Sequence, residues 1–297
     1  MKRFVLIAAL LLVSLDVDAA NVTVVVSGHG VHLDVRRPPR TNGGPAIVFE
    51  SGLGTVGTTD WTSVVPRLCG VERCVRYDRP GYGASDDDGE APTLRHVATV
   101  LHGALMAAGV APPYVLVGHS LGGARIRMFA GLYPNEAVGL VFVDPTPDFT
   151  RTPDDLQEIF LPLGLGRKEQ EEMESLQQPP AASQPKSIVA ETNMSGAMVD
   201  SQFADIRAVP PLPDIPVVVL VGGSDAEWPA SLPVSFDMHR WVRQWLDVRN
   251  ASLRRFAFSV RRGTFLETMR SSHNIQRSEP ELVVWAVQRA LQQHKER

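Results

Sequence analysis

The sequence lacks the features that mark several classes of protein. It has only two cysteines among 297 residues, which is too few for a disulfide-dense scaffold. Basic residues are not in excess, with 29 Lys and Arg against 33 Asp and Glu, so a nucleic-acid-binding surface is not expected. The compositional skews of disordered, collagen-like and coiled-coil chains are also missing. These absences leave an ordinary globular protein, with 44% hydrophobic residues and enough chain for a substantial core.

The first 19 residues have the pattern of a secretory signal peptide. A basic start at residues 1–3 precedes an apolar run over residues 4–15. Small residues at Val17 and Ala19 suit signal peptidase, which predicts cleavage after Ala19 and export to the periplasm or the medium. The run is shorter than the about 20 apolar residues that a membrane-spanning helix needs, so no span is expected in the mature chain. An uncleaved anchor or a buried first strand is the alternative.

Export changes the interpretation of the two cysteines, Cys69 and Cys74. In an oxidising compartment they could close a small disulfide loop between the end of one helix and the start of the next strand. Two buried free thiols are the alternative. A redox-active pair is not expected, because the spacing is not C-x-x-C.

Short β-branched runs alternate with helical patterns along most of the chain. Strands are predicted at 22–26, 31–35, 46–49, 74–77, 114–117, 138–143, 217–221 and 265–269, and helices at 61–68, 93–108, 121–132, 236–260 and after Pro280. This order predicts an α/β fold whose mostly parallel sheet is covered by helices on both faces.

One long stretch breaks this alternation, because residues 146–212 contain no convincing strand. Helical patterns begin there at Thr152 and recur over residues 167–177 and 198–209. We therefore predict a signal peptide at 1–19, a core at 20–145 and 213–297, and a helical cap inserted at 146–212.

A pentapeptide near the middle of the chain has the pattern of a nucleophile turn. Gly118-His119-Ser120-Leu121-Gly122 directly follows a predicted strand and directly precedes a predicted helix. In that setting G-x-S-x-G exposes a serine hydroxyl on a sharp turn, and larger side chains at the glycines would collide with backbone. The helix that begins there aims the Leu121 N–H toward a developing oxyanion. A tight structural turn is the alternative.

With four other segments, this pentapeptide resembles the α/β-hydrolase superfamily. The other segments are residues 49–54, residues 77–85, residues 140–145 and the pair Ser272-His273. The resemblance extends over nearly all of the chain between the leader and the C-terminus except the cap. It implies the α/β-hydrolase fold with a helical cap, as in capped serine esterases, but it does not identify a substrate.

The resemblance also implies a catalytic triad in the order serine, acid, histidine. Ser120 would be the nucleophile and His273 the general base and acid, while Asp225, after the strand at 217–221, would orient the histidine. Asp144, after an earlier strand, is the alternative acid. Asp144 is followed by Pro145, and an Asp-Pro step after a strand is common simply as a turn. Asp225 is therefore the preferred acid.

These residues predict an exported carboxylic-ester hydrolase that works through a Ser120 acyl-enzyme on a small acyl substrate. The backbone N–H groups of Leu53 and Leu121 are the predicted oxyanion donors, and the cap is the predicted lid. No cofactor or metal is expected, and the oligomeric state is left open. Thioesterase, lactonase or carbon-carbon bond hydrolase activity on the same triad is one alternative. A non-catalytic binding protein or receptor on the hydrolase fold is another.

Overall fold

A computed structural model of the chain describes residues 18–38, 43–146, 172, 183–201, 203–225 and 234–296. Its centre is an eight-stranded sheet in the order β1-β2-β4-β3-β5-β6-β7-β8. The strands are β1 Asp18–Val26, β2 His29–Arg37, β3 Ala46–Glu50, β4 Cys74–Tyr77, β5 Tyr114–His119, β6 Ala137–Val143, β7 Val217–Gly222 and β8 Gly263–Thr268.

The sheet is antiparallel at one edge and parallel elsewhere. β1 and β2 form a hairpin, and β2 pairs antiparallel with β4. From β4 to β8 each neighbouring pair is parallel, so the carboxyl ends of these strands lie at the same edge of the sheet. Every residue of β3, β5 and β7 is buried, as expected for strands covered on both faces. The predicted α/β fold is confirmed.

Helices cover both faces of this sheet. They are α1 Gly57–Asp60, α2 Val65–Leu68, α3 Leu94–Ala107, α4 Leu121–Leu132, α5 Lys186–Asp200, α6 Ala204–Ala208, α7 Met238–Ser259, α8 Ile275–Ser278 and α9 Pro280–Lys295. Apolar residues of α3, α4 and α7 pack on one face, and those of α2 and α9 on the other.

Only the second half of the helix predicted at 61–68 is helical: residues 61–64 form a turn, α2 follows them, and α1 ends just before the predicted range. Pro66 lies in the first turn of α2, where its missing N–H costs no hydrogen bond, so a new helix begins there rather than continuing through it. At the end of α2, Cys69 forms a disulfide with Cys74 at the start of β4, with their Cα atoms 5.6 Å apart. The bridge has the position that the sequence predicted.

Parts of the predicted leader and cap lie outside the described residues. Residues 1–17 are among them, whereas Asp18 and Ala19 begin β1, opposite Arg37 and Arg36 of β2. Cleavage after Ala19 would therefore remove the first two residues of that strand, and both cleavage and export stay predictions. No helix within the described ranges is long and apolar enough to cross a membrane.

Within the predicted cap, the described elements are the helices α5 and α6. The helix predicted from Thr152 lies outside the described residues, as does the charged segment 167–177 except for residue 172. The pattern at 198–209 predicted helix, and the structure has the end of α5 and α6 there. The extent of the cap remains a prediction.

Candidate active site

Ser120 occupies the sharp turn between β5 and α4. Its backbone has a φ of 53° and a ψ of −123°, a positive φ that a residue other than glycine rarely adopts. The flanking glycines allow this turn: a Cβ on Gly118 would lie 2.5 Å from the Gly122 carbonyl oxygen. A Cβ on Gly122 would lie 2.5 Å from the Glu50 carbonyl oxygen. The collision with backbone that the sequence predicted at both glycines is confirmed.

The backbone of Ser120 is fastened to the end of the neighbouring strand β6. The Ser120 N–H donates to the Val143 carbonyl at 3.1 Å, and the Ser120 carbonyl accepts from the Thr146 N–H at 3.1 Å. These two bonds lie on either side of Asp144, the residue that follows β6. The nucleophile turn and Asp144 are therefore held in a fixed relation by main-chain hydrogen bonds.

Asp144 is the carboxylate that lies against His273. The distance from His273 Nδ1 to Asp144 Oδ2 is 2.6 Å, and the Asp144 side chain is 1% exposed. The Arg249 guanidinium donates to both carboxylate oxygens, at 2.9 and 2.6 Å, and the Gly222 N–H donates to Oδ1 at 2.7 Å. Burial alone raises the pKa of Asp144, but Arg249, His273 and Gly222 outweigh it and hold that pKa below its usual value.

Asp225, the acid preferred from the sequence, lies elsewhere. Its carboxylate accepts from Arg243 Nη1 at 3.3 Å and lies 3.8 Å from His239 Nδ1, at a partly exposed position. The structure thus corrects the preference for Asp225 as the partner of His273. It brings Asp144, the alternative acid, to that histidine.

The path of the chain after β7 explains this difference. The Gly223 N–H donates to the Thr268 carbonyl at 2.8 Å, and the Ser224 N–H donates to the Ser271 carbonyl at 3.2 Å. The segment after β7 therefore stays paired with the end of β8 and the turn beyond it. This pairing carries Asp225 toward the surface side chains of α7, while Asp144, one strand closer to Ser120, remains beneath His273.

The two predicted oxyanion donors belong to segments close to Ser120. A Cβ on Gly52 would lie 3.1 Å from Ser120 Cβ, so the turn that contains Leu53 is in close contact with the nucleophile. Leu121 is the first residue of α4, and an N–H in the first turn has no acceptor within its own helix. The structure therefore brings both predicted donor residues to the neighbourhood of Ser120.

His119, which precedes the nucleophile, packs inside the site. Its ring lies 4.7 Å from the His273 ring between centroids, and its Nε2–H donates to the His273 carbonyl at 3.0 Å. Gln276 Nε2 lies 3.1 Å from His119 Nδ1, and Asp60 Oδ2 lies 3.6 Å from the same nitrogen. His119 therefore supports the loop that carries His273.

Reasoning from the sequence missed Arg249 and Glu191, two buried charged residues of this region. Arg249 belongs to α7, a helix with several arginines, and nothing in its local sequence distinguishes it from the exposed ones.

Beside Arg249 and His273 lies a cavity of about 380 Å³, whose lining includes Trp245 and Leu246. The cavity places apolar surface next to the histidine.

Similar proteins are found among both curated sequences and solved structures. The chain is 34% identical over 145 residues to an AB hydrolase superfamily protein of Gibberella zeae, covering 47% of this chain and 42% of that protein. It is 35% identical over 92 residues to the pyrrolizixenacetamide deacetylase of Xenorhabdus hominickii, covering 31% of this chain and 34% of that protein. These alignments span less than half the length of each relative.

A thermophilic esterase from Thermogutta terrifontis has a similar fold, with a TM-score of 0.60 at 21% identity, covering 93% of this chain and 99% of that one. The sequence profile described as the Alpha/beta hydrolase family matches residues 47–287. That range extends from β3 through the nucleophile turn to α9, and so includes Ser120, Asp144 and His273. The chain therefore belongs to the α/β hydrolase family.

Proposed function

We propose that the protein is a serine hydrolase that cleaves carboxylic esters through a covalent Ser120 acyl-enzyme. The observation that carries this proposal is the 2.6 Å hydrogen bond between His273 Nδ1 and buried Asp144, beside a serine held at positive φ. A nucleophile after β5, an orienting acid after β6 and a base after β8, at the same edge of the sheet, form the arrangement that acyl transfer requires.

The hydrogen bond to Asp144 defines the role of each nitrogen of His273. A carboxylate only accepts, so Nδ1 carries a proton and Nε2 of the neutral ring is free to act as a base. As Ser120 Oγ attacks the ester carbonyl carbon, Nε2 takes the hydroxyl proton and then returns it to the departing alcohol oxygen. A water molecule then attacks the acyl-enzyme, giving its proton to Nε2, and the acid product leaves as Ser120 recovers a proton.

The negative charge that develops on the carbonyl oxygen needs fixed donors. In this proposal the N–H groups of Leu53 and Leu121 form the oxyanion hole, the pair of donors that binds this oxygen. Removing one such donor typically lowers kcat by about 10²- to 10³-fold. The start of α4 adds the positive end of a helix dipole on the same side of Ser120.

Several observations favour an acyl substrate with apolar groups. Trp245 and Leu246 line the cavity beside His273, and burying apolar substrate surface there is favourable. Relatives and neighbours named as esterase and deacetylase act on acyl groups. A panel of p-nitrophenyl esters of increasing chain length, with matched thioesters, lactones and anilides, measures the preferred bond and acyl length.

Labelling with a fluorophosphonate probe tests the proposed nucleophile. Wild-type protein should gain one phosphonyl adduct on Ser120, and Ser120→Ala should show neither the adduct nor ester turnover above the uncatalysed rate. Ser259→Ala is the matched control, because Ser259 is an exposed serine near the end of α7, and this variant should label fully. Absence of a Ser120-dependent adduct in folded wild-type protein would point to the non-catalytic binding protein instead.

A further inference from the structure

A buried cluster of four charged side chains lies against the turn that follows β3. Its members are Glu50, Arg79, Arg125 and Glu191, and their side chains are 1–2% exposed. Two carboxylates balance two guanidinium groups. Because an unpaired buried charge is strongly unfavourable, each member depends on the others.

Glu191 differs from the other three in its origin. It belongs to α5, within the predicted cap, whereas the others belong to the core of the fold. The same face of α5 lies directly on core loops: a Cβ on Gly81 would lie 3.0 Å from Ser187 Cβ, and one on Gly54 would lie 3.8 Å from Ile188 Cγ2. The cap therefore supplies one carboxylate to a cluster that is otherwise part of the core.

The cluster holds the oxyanion loop, which we define as residues 51–55. Arg79 Nη2 donates to the Gly52 carbonyl at 3.0 Å, and Arg125 Nη1 donates to the Ser51 carbonyl at 3.0 Å. Glu191 Oε1 in turn accepts from Arg79 Nε at 2.7 Å and from Arg125 Nη2 at 2.8 Å. Glu191 thus orients both guanidinium groups that hold the loop carbonyls.

Peptide geometry links this cluster to the predicted oxyanion donor. The Gly52 carbonyl and the Leu53 N–H belong to one trans peptide group, so they point in opposite directions. Arg79 fixes that carbonyl toward the cluster, which turns the Leu53 N–H away from it. The next peptide group is held as well, because the Gly54 N–H donates to Glu191 Oε2 at 3.2 Å. Both peptide groups that flank Leu53 therefore depend on Glu191.

We propose that Glu191 is a positioning residue for the oxyanion hole, through which docking of the cap helix α5 aligns the Leu53 N–H for catalysis. This inference rests on the proposed function. The active site would be complete only when α5 lies on the core, because without it Arg79 loses one of its two carboxylate partners and Gly54 loses the acceptor of its N–H. The residue acts through Arg79 and the Gly54 N–H and does not itself touch the substrate.

The charges around Glu191 keep its carboxylate in one ionisation state. Burial alone raises the pKa of Glu191, but Arg125, Arg79 and the Gly54 N–H outweigh burial and lower it to about 2. The carboxylate is therefore ionised throughout the neutral and mildly acidic range. Titration of Glu191 should not appear in the pH profile of kcat above pH 5.

Steady-state kinetics on Glu191→Gln and Glu191→Asp test the proposal. A separate sample of each protein is first titrated to completion with the fluorophosphonate probe, so that kcat of the unlabelled enzyme is expressed per folded, reactive active site. We expect Glu191→Gln to lower kcat by about 10- to 100-fold, since a displaced oxyanion donor loses part of its effect. KM should change by less than about threefold, because the oxyanion forms only after binding.

A transition-state analogue provides the readout that a merely structural role would not move. Ser120 Oγ adds reversibly to the carbonyl carbon of a trifluoromethyl ketone. The carbonyl oxygen then becomes an oxyanion that occupies the oxyanion hole. Its inhibition constant in Glu191→Gln should rise by the same factor by which kcat/KM falls. Asp205→Asn, which removes an exposed carboxylate from the cap helix α6, should leave both values within about twofold of wild type.

Each outcome decides the proposal. A kcat per titrated site within twofold of wild type in Glu191→Gln would overturn it. If that variant does not fold, Glu191→Asp, which keeps the charge balance, is decisive: an unchanged kcat would show that the carboxylate only balances charge. Wild-type protein without Ser120-dependent labelling or turnover would refute the proposed function itself, and this inference with it.

Discussion

The acid partner of His273 is decided by burial and countercharge at a single carboxylate. Asp144 accepts from His273, Arg249 and Gly222, whereas Asp225 accepts from an arginine at the surface. A buried carboxylate with this many donors has a fixed orientation and a lowered pKa, so it remains charged beneath the histidine. A carboxylate in water would lack that fixed orientation.

Replacing either acid by its amide separates the two candidates. Asp144→Asn removes the charge that stabilises the His273 imidazolium, so kcat on a p-nitrophenyl ester should fall by about 10³- to 10⁴-fold. Asp225→Asn is the matched control and should keep kcat within about twofold, since it weakens only a partly exposed ion pair. The reverse pattern of sensitivities would make Asp225 the catalytic acid.

Two elements meet at the nucleophile turn with little space between their backbones. α4 begins against the carbonyl groups that end β3, so the serine and the oxyanion loop are brought together by direct backbone packing. The glycines of G-x-S-x-G are required by this approach. The glycines of the motif are therefore needed for the packing of α4 against β3 as well as for the exposure of the serine.

Adding one methyl group at this approach should damage both stability and activity. In Gly122→Ala the new Cβ would meet the Glu50 carbonyl oxygen at 2.5 Å, so α4 and the oxyanion loop must separate. We expect a lower melting temperature by calorimetry and at least about 10-fold slower fluorophosphonate labelling.

The control for that substitution is Gly196→Ala in α5, where a Cβ would meet nothing within 4 Å. Alanine favours helix over glycine by about 0.8 to 1 kcal/mol, so this variant should be as stable as wild type or more stable, and fully active. If Gly122→Ala labelled as fast as Gly196→Ala, the close approach of α4 to β3 would not matter for the site.

At the scale of the whole molecule, three buried carboxylates near the site are each held by basic side chains from other parts of the chain. Asp144 pairs with Arg249 of α7, and Glu191 of α5 pairs with Arg79 and Arg125. Asp60 lies near His119 and accepts from Arg277, and although burial alone raises its pKa, these partners lower it well below the usual value. Protonating Asp144 or Glu191 would take a countercharge away from buried arginines.

Stability should therefore fall in acid. Some carboxylates have a lower pKa in the folded chain than in the unfolded chain. Such a carboxylate stabilises the fold at any pH above its unfolded pKa. The stabilisation is lost as the pH falls through its folded pKa. For Glu191, a change from 4.5 to about 2 corresponds to roughly 3 kcal/mol, lost between about pH 4.5 and 2. Urea unfolding should show this fall in the free energy of unfolding, with a smaller fall in Glu191→Gln. Equal losses in both proteins would contradict the assignment.

Much of this fold could be predicted from local sequence. β4 and α4 have the bounds that the hydrophobic pattern predicted, and the other predicted strands lie within a few residues of their observed bounds. Each of these elements has a marked apolar period or a β-branched run, and each is bounded by glycine, proline or polar residues. Ser120 and His273 could be proposed as site residues because the strand-turn-helix setting of one and the position of the other after the last strand are local features, and because the family resemblance implied their roles.

The choice between Asp144 and Asp225, and the assembly of Glu191 with two arginines of the core, depended on tertiary structure. Both aspartates follow a predicted strand, so sequence position does not distinguish them. The pairing of residues 223–224 with the end of β8 and the turn beyond it directs Asp225 away from the histidine. Glu191 lies more than 100 residues from Arg79, and charged residues distant in sequence show no periodicity that would reveal their contact. The sequence by itself determined the elements and the nucleophile turn, because these are short-range. Three-dimensional packing decided which buried charges meet, because burial and countercharge exist only in the folded chain.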